Sequence, residues 1–170
     1  TTLLVSRIGL GNAGDGASSQ PSISSNGQFV TYTSASSNLT GDPIPGQFQI
    51  FLRDTQSNTT TLVSQATGGA GGDGASNQPS ISSNGQFVTF TSLATNLAAT
   101  PGGSGTQIFL RDTQANTTSL VSRIGLGNAG DGASSQPSIS SNGQVVTFTS
   151  LATNLAATPG GSGTQIFLRD

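Results

Sequence analysis

Gln78-Pro79-Ser80-Ile81-Ser82-Ser83-Asn84-Gly85-Gln86-Phe87-Val88-Thr89-Phe90-Thr91-Ser92 reads as two short strands joined by a turn, and the chain carries close copies of it on either side. From Phe87 to Ser92 apolar and hydroxyl side chains alternate, the period-two pattern of a half-buried strand. Asn84-Gly85 predicts a type I′ hairpin turn, which needs positive φ at both central residues. The segment recurs with its proline at 21, 79 and 137, a spacing of 58 residues, and an Ile-Phe-Leu-Arg-Asp segment ending at Asp54, Asp112 and Asp170 keeps the same spacing. An internal repeat of this kind decides architecture before local propensity does. The copies are unusually alike: residues 79–112 and 137–170 differ only at Phe87 against Val145.

Two further strands complete the unit. Gln107-Ile-Phe-Leu-Arg-Asp112 is mostly apolar, and Thr117-Thr-Ser-Leu-Val-Ser-Arg123 closes the repeat after a short polar turn. Glycine or proline interrupts every candidate helix. The other two connections, 93–106 and 123–135, are long, and in an up-and-down four-stranded sheet they lie at the same end, where ligand or partner contacts are expected. The reading divides the chain into a lone last strand at 1–7, repeat one at 8–65, repeat two at 66–123, and a third at 124–170 that lacks its last strand.

Composition removes whole classes of function. The chain has no Cys, Met, Trp, His, Lys or Glu; its charge comes from five Arg and seven Asp, net −2. Thiolate, imidazole and thioether metal chemistry therefore has no ligands, and a general base for a serine or threonine nucleophile is missing. The expectation is a protein that is not an enzyme. Five cations are too few for a nucleic-acid surface, and no apolar run approaches the ~20 residues of a membrane span. The abundance of hydroxyl and amide residues and the lack of oxidisable ones point to an extracellular or cell-surface location.

The order Pro-Ser-Ile-Ser-Ser-Asn-Gly-Gln-Phe-Val-Thr-Phe-Thr-Ser, then Gln-Ile-Phe-Leu-Arg-Asp, then Thr-Ser-Leu-Val-Ser resembles the blade signature of TolB-type β-propellers, relatives of WD-repeat blades. Ile stands for the usual aromatic and Asn for the usual turn Asp. The resemblance implies an all-β fold of propeller blades, each of four antiparallel strands. It is strongest to the long, Ser/Thr-rich blades of bacterial exported proteins, whose second-to-third loop often carries an Asp-rich, calcium-binding stretch. Here that stretch is degraded to Gly41-Asp42-Pro-Ile-Pro and Ala99-Thr-Pro-Gly-Gly-Ser.

The ends of this reading do not match. A leading strand has no partner beside it, and a trailing sheet is one strand short. Propellers run to 4–8 blades, so three cannot close around an axis alone. Exposed sheet edges pair readily, and the expectation is strand exchange between chains, with Thr2, Leu4 and Val5 of one copy meeting Ile166, Phe167 and Leu168 of another. A closed oligomer or a filament follows, according to whether the rotation closes. The expected partners are copies of the chain itself. The alternative is a multivalent module for a glycan or cell-surface polymer.

Few residues offer chemistry of their own. Asp15, Asp73 and Asp131, each in Gly-Asp-Gly-Ala-Ser, are weak calcium candidates; the structural reading is that each stiffens its turn by accepting from the backbone N–H groups that follow. No other cofactor is expected. In Arg53-Asp54, Arg111-Asp112 and Arg169-Asp170 neighbouring side chains point to opposite faces, so Asp is expected to start the turn and Arg to serve packing or a blade-to-blade ion pair. Phe29, Phe51, Phe87, Phe90, Phe109, Phe148, Phe167 and Tyr32 are expected to fill the space between blades rather than stack on sugars.

Overall fold

The computed structural model describes residues 2–41, 46–99, 104–157 and 162–170. The degraded loop stretches noted above fall largely on 42–45 and 100–103, outside the described residues. Among the described residues eleven strands form three antiparallel sheets. Blade 1 contains β1 (Ser18–Ile23), β2 (Phe29–Ser34), β3 (Gln49–Asp54) and β4 (Thr59–Leu62) in spatial order β1-β2-β3-β4. Blade 2 repeats this with β5 (Ser76–Ile81), β6 (Phe87–Ser92), β7 (Gln107–Asp112) and β8 (Thr117–Leu120). Blade 3 has three strands, β9 (Ser134–Ile139), β10 (Val146–Ser150) and β11 (Gln165–Arg169), with β10 in the middle.

The second and third strands of each blade pair in register, so one aromatic faces another at the centre. Tyr32 stacks on Phe51, Phe90 on Phe109 and Phe148 on Phe167, with ring centroids 6.0, 5.9 and 5.7 Å apart. These aromatics are core and, as expected, most lie between blades: Phe90 and Phe109 cluster with Ile50 and Leu52 of blade 1, and Phe148 and Phe167 with Ile108 of blade 2, while Tyr32 and Phe51 pack with Val5 on the front of blade 1. Successive blades meet face to face, β5 packing on β1, β2 and β3, and β9 on β5, β6 and β7.

Two local expectations are corrected. The Asn-Gly turn is not type I′: only Gly85 has positive φ, 77°, and the turn is closed by a bond from Gly85 N–H to Ser82 O at 3.0 Å. Asn84 acts through its side chain instead, its Oδ1 accepting from Ser82 Oγ (2.8 Å) and Gln86 N–H (3.1 Å), an arrangement that needs no left-handed backbone. The lone strand expected at 1–7 is not formed over its described residues, 2–7. Residues 2–5 pair with nothing, and Arg7 forms only an isolated bridge to Ala13. A fourth strand needs a third beside it, and no bare third strand lies next to this segment.

Candidate functional site

The most informative geometry is at the seams between blades, because the chain contains two of them and they are the same. At the inner edge, Gln78 N–H donates to Gln20 Oε1 and Gln136 N–H to Gln78 Oε1, both at 2.9 Å. Each of these glutamines sits in the left-handed region, φ 52 to 54°, at a β-bulge in the first strand. The kink carries the side chain across to the next blade. At the turn end, Ser25 N–H donates to Ser83 O (3.2 Å) and Ser83 N–H to Ser141 O (3.0 Å). At the opposite end, Ser76 N–H reaches Phe48 O and Ser134 N–H reaches Thr106 O, both at 2.8 Å.

The apolar part of each seam joins the third strand of one blade to the first two of the next. Ile50 and Leu52 pack with Ile81, Val88 and Phe90; Ile108 and Leu110 pack with Ile139, Val146 and Phe148. Phe29 lies across Gly85 and Phe87 across Gly143. A Cβ on either glycine would fall 2.2 Å from the ring, so only glycine fits beneath the aromatic.

Arg53, Arg111 and Arg169 hold the connection that enters each blade. Arg53 donates to Gly9 O at 2.6 Å and to Asn58 Oδ1 and Thr60 Oγ1, both at 3.1 Å. Arg111 donates to Asn116 Oδ1 and Thr118 Oγ1 at 3.1 Å, and Arg169 to Arg123 O (2.9 Å) and Gly125 O. The partners are carbonyl, amide and hydroxyl oxygens rather than the carboxylate of an ion pair. Burial pulls Arg53 and Arg111 below the usual guanidinium value. As expected, Asp54 starts the following turn, accepting from Gln56 N–H (2.8 Å) and Ser57 N–H (3.2 Å).

Asp15, Asp73 and Asp131 bolt the two long connections of each blade together, which places both at one end. Their donors are not the residues that follow but a residue 22 positions on. Ser37, Thr95 and Thr153 each give a backbone N–H to one carboxylate oxygen and a hydroxyl to the other, at 2.6–2.7 Å. The Ser37 and Thr153 hydroxyls, then their N–H groups, hold Asp15 and Asp131 below the ordinary 3.8. Among the described residues no group of three or more carboxylates stands together.

No family model matches the sequence, and no curated protein does. Solved structures do. A putative TolB from Agrobacterium tumefaciens superposes with a TM-score of 0.57 at 19% identity, over 91% of this chain and 46% of that one. The fold is that of TolB-like β-propeller blades. The tricorn protease (TM-score 0.52, 13% identity, 88% of this chain and 12% of that one) and a prolyl endopeptidase (0.52, 14%, 95% and 21%) superpose on it as well. The chain thus spans less than half the length of each.

With TolB-like blades set in a row, the first and last faces of the row can be read against the two internal seams. Ile50 and Ile108 are fully buried, yet the identical Ile166 is 74% exposed; Leu52 is 7% exposed and its counterpart Leu168 68%. On the opposite face Ile81 is 8% exposed and Ile23 60%, while Pro79 and Pro137 are buried and Pro21 is not. A hollow of about 220 Å³ opens on this front face of blade 1, lined by Leu4, Val5, Pro21, Val30 and Tyr32 among others. Its walls match those that receive Ile50 and Leu52 at the first internal seam.

The predicted assembly residues lie at these two faces. Leu3 and Leu4 are exposed, whereas Val5 packs on Tyr32, Phe51 and Leu62 as Val63 packs on the next blade. Gly14 N–H donates to Ser6 O (2.9 Å) as Gly72 N–H does to Ser64 O (2.8 Å), so residues 5–14 already hold the conformation of 63–72. Ile166 and Leu168 lie on the bare back of blade 3; Phe167 points inward against Phe148. Sequence reasoning missed Gln20, Gln78 and Gln136, whose only signal is a Gln-Pro pair at every repeat.

Proposed function

We propose that this chain is a non-enzymatic structural subunit, exported to the cell surface or extracellular space, that assembles with copies of itself. The N-terminal segment of one copy supplies the fourth strand that blade 3 of another lacks. One observation carries this reading: β11 has an open outer edge, and residues 5–7 are already anchored where the link that follows a preceding blade's fourth strand belongs. The register follows from blade 2, where Phe109 faces Leu120 and Arg111 faces Thr118. Between copies Phe167 would face Leu4, and Arg169 would face Thr2. A closed oligomer and a filament are both products of such an exchange. The competing reading, a multivalent module for glycan or surface polymer, draws less support, because the carboxylates at the long-loop end are bonded internally.

Sedimentation equilibrium over a wide concentration range tests the proposal. Association is expected, and it should survive high salt because backbone pairing and apolar burial drive it. Removal of residues 1–7 should abolish it. A full chain that is monomeric at every concentration would refute the reading.

A further inference from the structure

We infer that the contact between copies is a third edition of the internal seam, head to tail and in the same register, and that Val145 makes it the weakest of the three. This rests on the self-assembly reading above. It adds a face-to-face surface to the strand exchange and names the residue that tunes it. The partner is a second copy of this chain, because the back of blade 3 and the front of blade 1 carry the residues that already meet inside it.

The repeated contacts extend by one step without alteration. Ile166 and Leu168 enter the hollow beside Pro21, Val30 and Tyr32, as Ile50 and Leu52 do beside Pro79, Val88 and Phe90. The side-chain amide of Gln49 donates to Gly72 O and Gly74 O (both 3.2 Å) and that of Gln107 to Gly132 O (3.3 Å), so Gln165 meets the Gly14 and Gly16 carbonyls of the partner copy. Ser18 N–H meets Thr164 O, and Ser141 meets Ser25. One position breaks the copy. Phe29 covers Gly85 and Phe87 covers Gly143, but the residue that would cover the partner copy's Gly27 is Val145. Gly27 has nothing within 4 Å of where its Cβ would be. The seam between copies therefore lacks an aromatic that both internal seams possess. Blades within a chain stay joined while copies exchange.

The absence of cysteine makes the register directly testable. Ser25 Oγ and Ser83 Oγ are 2.8 Å apart at the internal seam, close enough for a disulfide between substituted positions. Equal amounts of a Ser25→Cys chain and a Ser141→Cys chain are mixed and oxidised, with each variant alone as control. A covalent heterodimer from the mixture only is expected, and Val145→Phe should tighten association by about tenfold in sedimentation equilibrium. An assembly that forms without this cross-link overturns the register while leaving self-assembly standing. A cross-link with association unchanged by Val145→Phe overturns the role of Val145. Monomers throughout overturn both readings.

Discussion

Tyr32 stacks on Phe51 with its hydroxyl buried and unpartnered, whereas the phenylalanines at the same place in blades 2 and 3, Phe90 and Phe148, bury no polar atom there. Thr60 does not satisfy the phenol: its hydroxyl donates to Arg7 O at 3.1 Å. Burial, opposed only weakly by Thr60 and Arg53, pushes the Tyr32 phenol up to about 12. An unmatched hydroxyl in a dry site costs roughly 1–3 kcal/mol. Tyr32→Phe should stabilise the chain by about 1 kcal/mol, raising Tm by roughly 2–4 °C for a protein of this size. Calorimetry of dilute protein checks it. Since Tyr32 is the only tyrosine, ultraviolet titration of the native chain should also show one phenol ionising near 12 instead of 10.

Acid should weaken the fold, and neutral pH should not. Hydrogen bonds from Thr95 outweigh partial burial at Asp73, as those from Ser37 and Thr153 do at Asp15 and Asp131, and all three folded values lie below 3.8. A carboxylate held below its unfolded value adds stability that is fully present above that value and lost as pH falls through the folded one. With no histidine or cysteine, no side chain of this composition ordinarily titrates near neutrality. Thermal unfolding should be flat from about pH 5 to 9 and decline below about pH 4. Replacing all three aspartates with Asn should flatten the acid limb.

Arg111 should tolerate no cationic substitute. Arg111 is 2% exposed, and its guanidinium reaches Asn116 and Thr118 together, a fork that a lysine ammonium cannot reproduce. Both Arg111→Lys and Arg111→Ala weaken or remove its 3.5 Å bond to Ala66 O in the 65–71 connection and leave carbonyl and amide oxygens short of donors. A loss of about 2–4 kcal/mol is expected for either, read from urea denaturation midpoints.

The strands were legible because their signals are local. Gln107–Asp112 occurs as expected, since an apolar run of that length between turn residues allows little else. The fourth strand is shorter than its sequence suggests, ending at Leu120, because Val121 turns away to pack on blade 3 while Ser122 Oγ takes over the bond to Ile108 N–H. Less of the seam could be read. Left-handed glutamine has no sequence signature beyond the repeated Gln-Pro pair, and the bulge at Gln78 serves neighbours 58 positions away. The partners of Arg53 and Arg111 are mainly backbone carbonyls and small polar side chains, which no spacing rule announces. The second glycine of each Gly-Asp-Gly also owes its place to tertiary structure: a Cβ on Gly74 would fall 2.6 Å from Ala94 N and Leu93 C.

Two identical substitutions separate folding from assembly. Ile108 is fully buried between blades 2 and 3, and Ile166, 58 residues later in the same Gln-Ile-Phe-Leu-Arg-Asp context, is 74% exposed. Ile108→Ala opens a cavity in a packed seam and should cost about 2–5 kcal/mol at any protein concentration. Ile166→Ala removes apolar surface that the lone chain leaves in water, so dilute protein should change by less than about 0.5 kcal/mol. If the back of blade 3 receives another copy, the same substitution weakens association by at least about tenfold, because a buried isoleucine side chain contributes roughly 1.5–3 kcal/mol. Urea midpoints at low concentration and sedimentation at high concentration, run on both variants, distinguish the two effects. Equal losses of folded stability would mean that the lone chain already buries Ile166, and the back of blade 3 would then be no docking face.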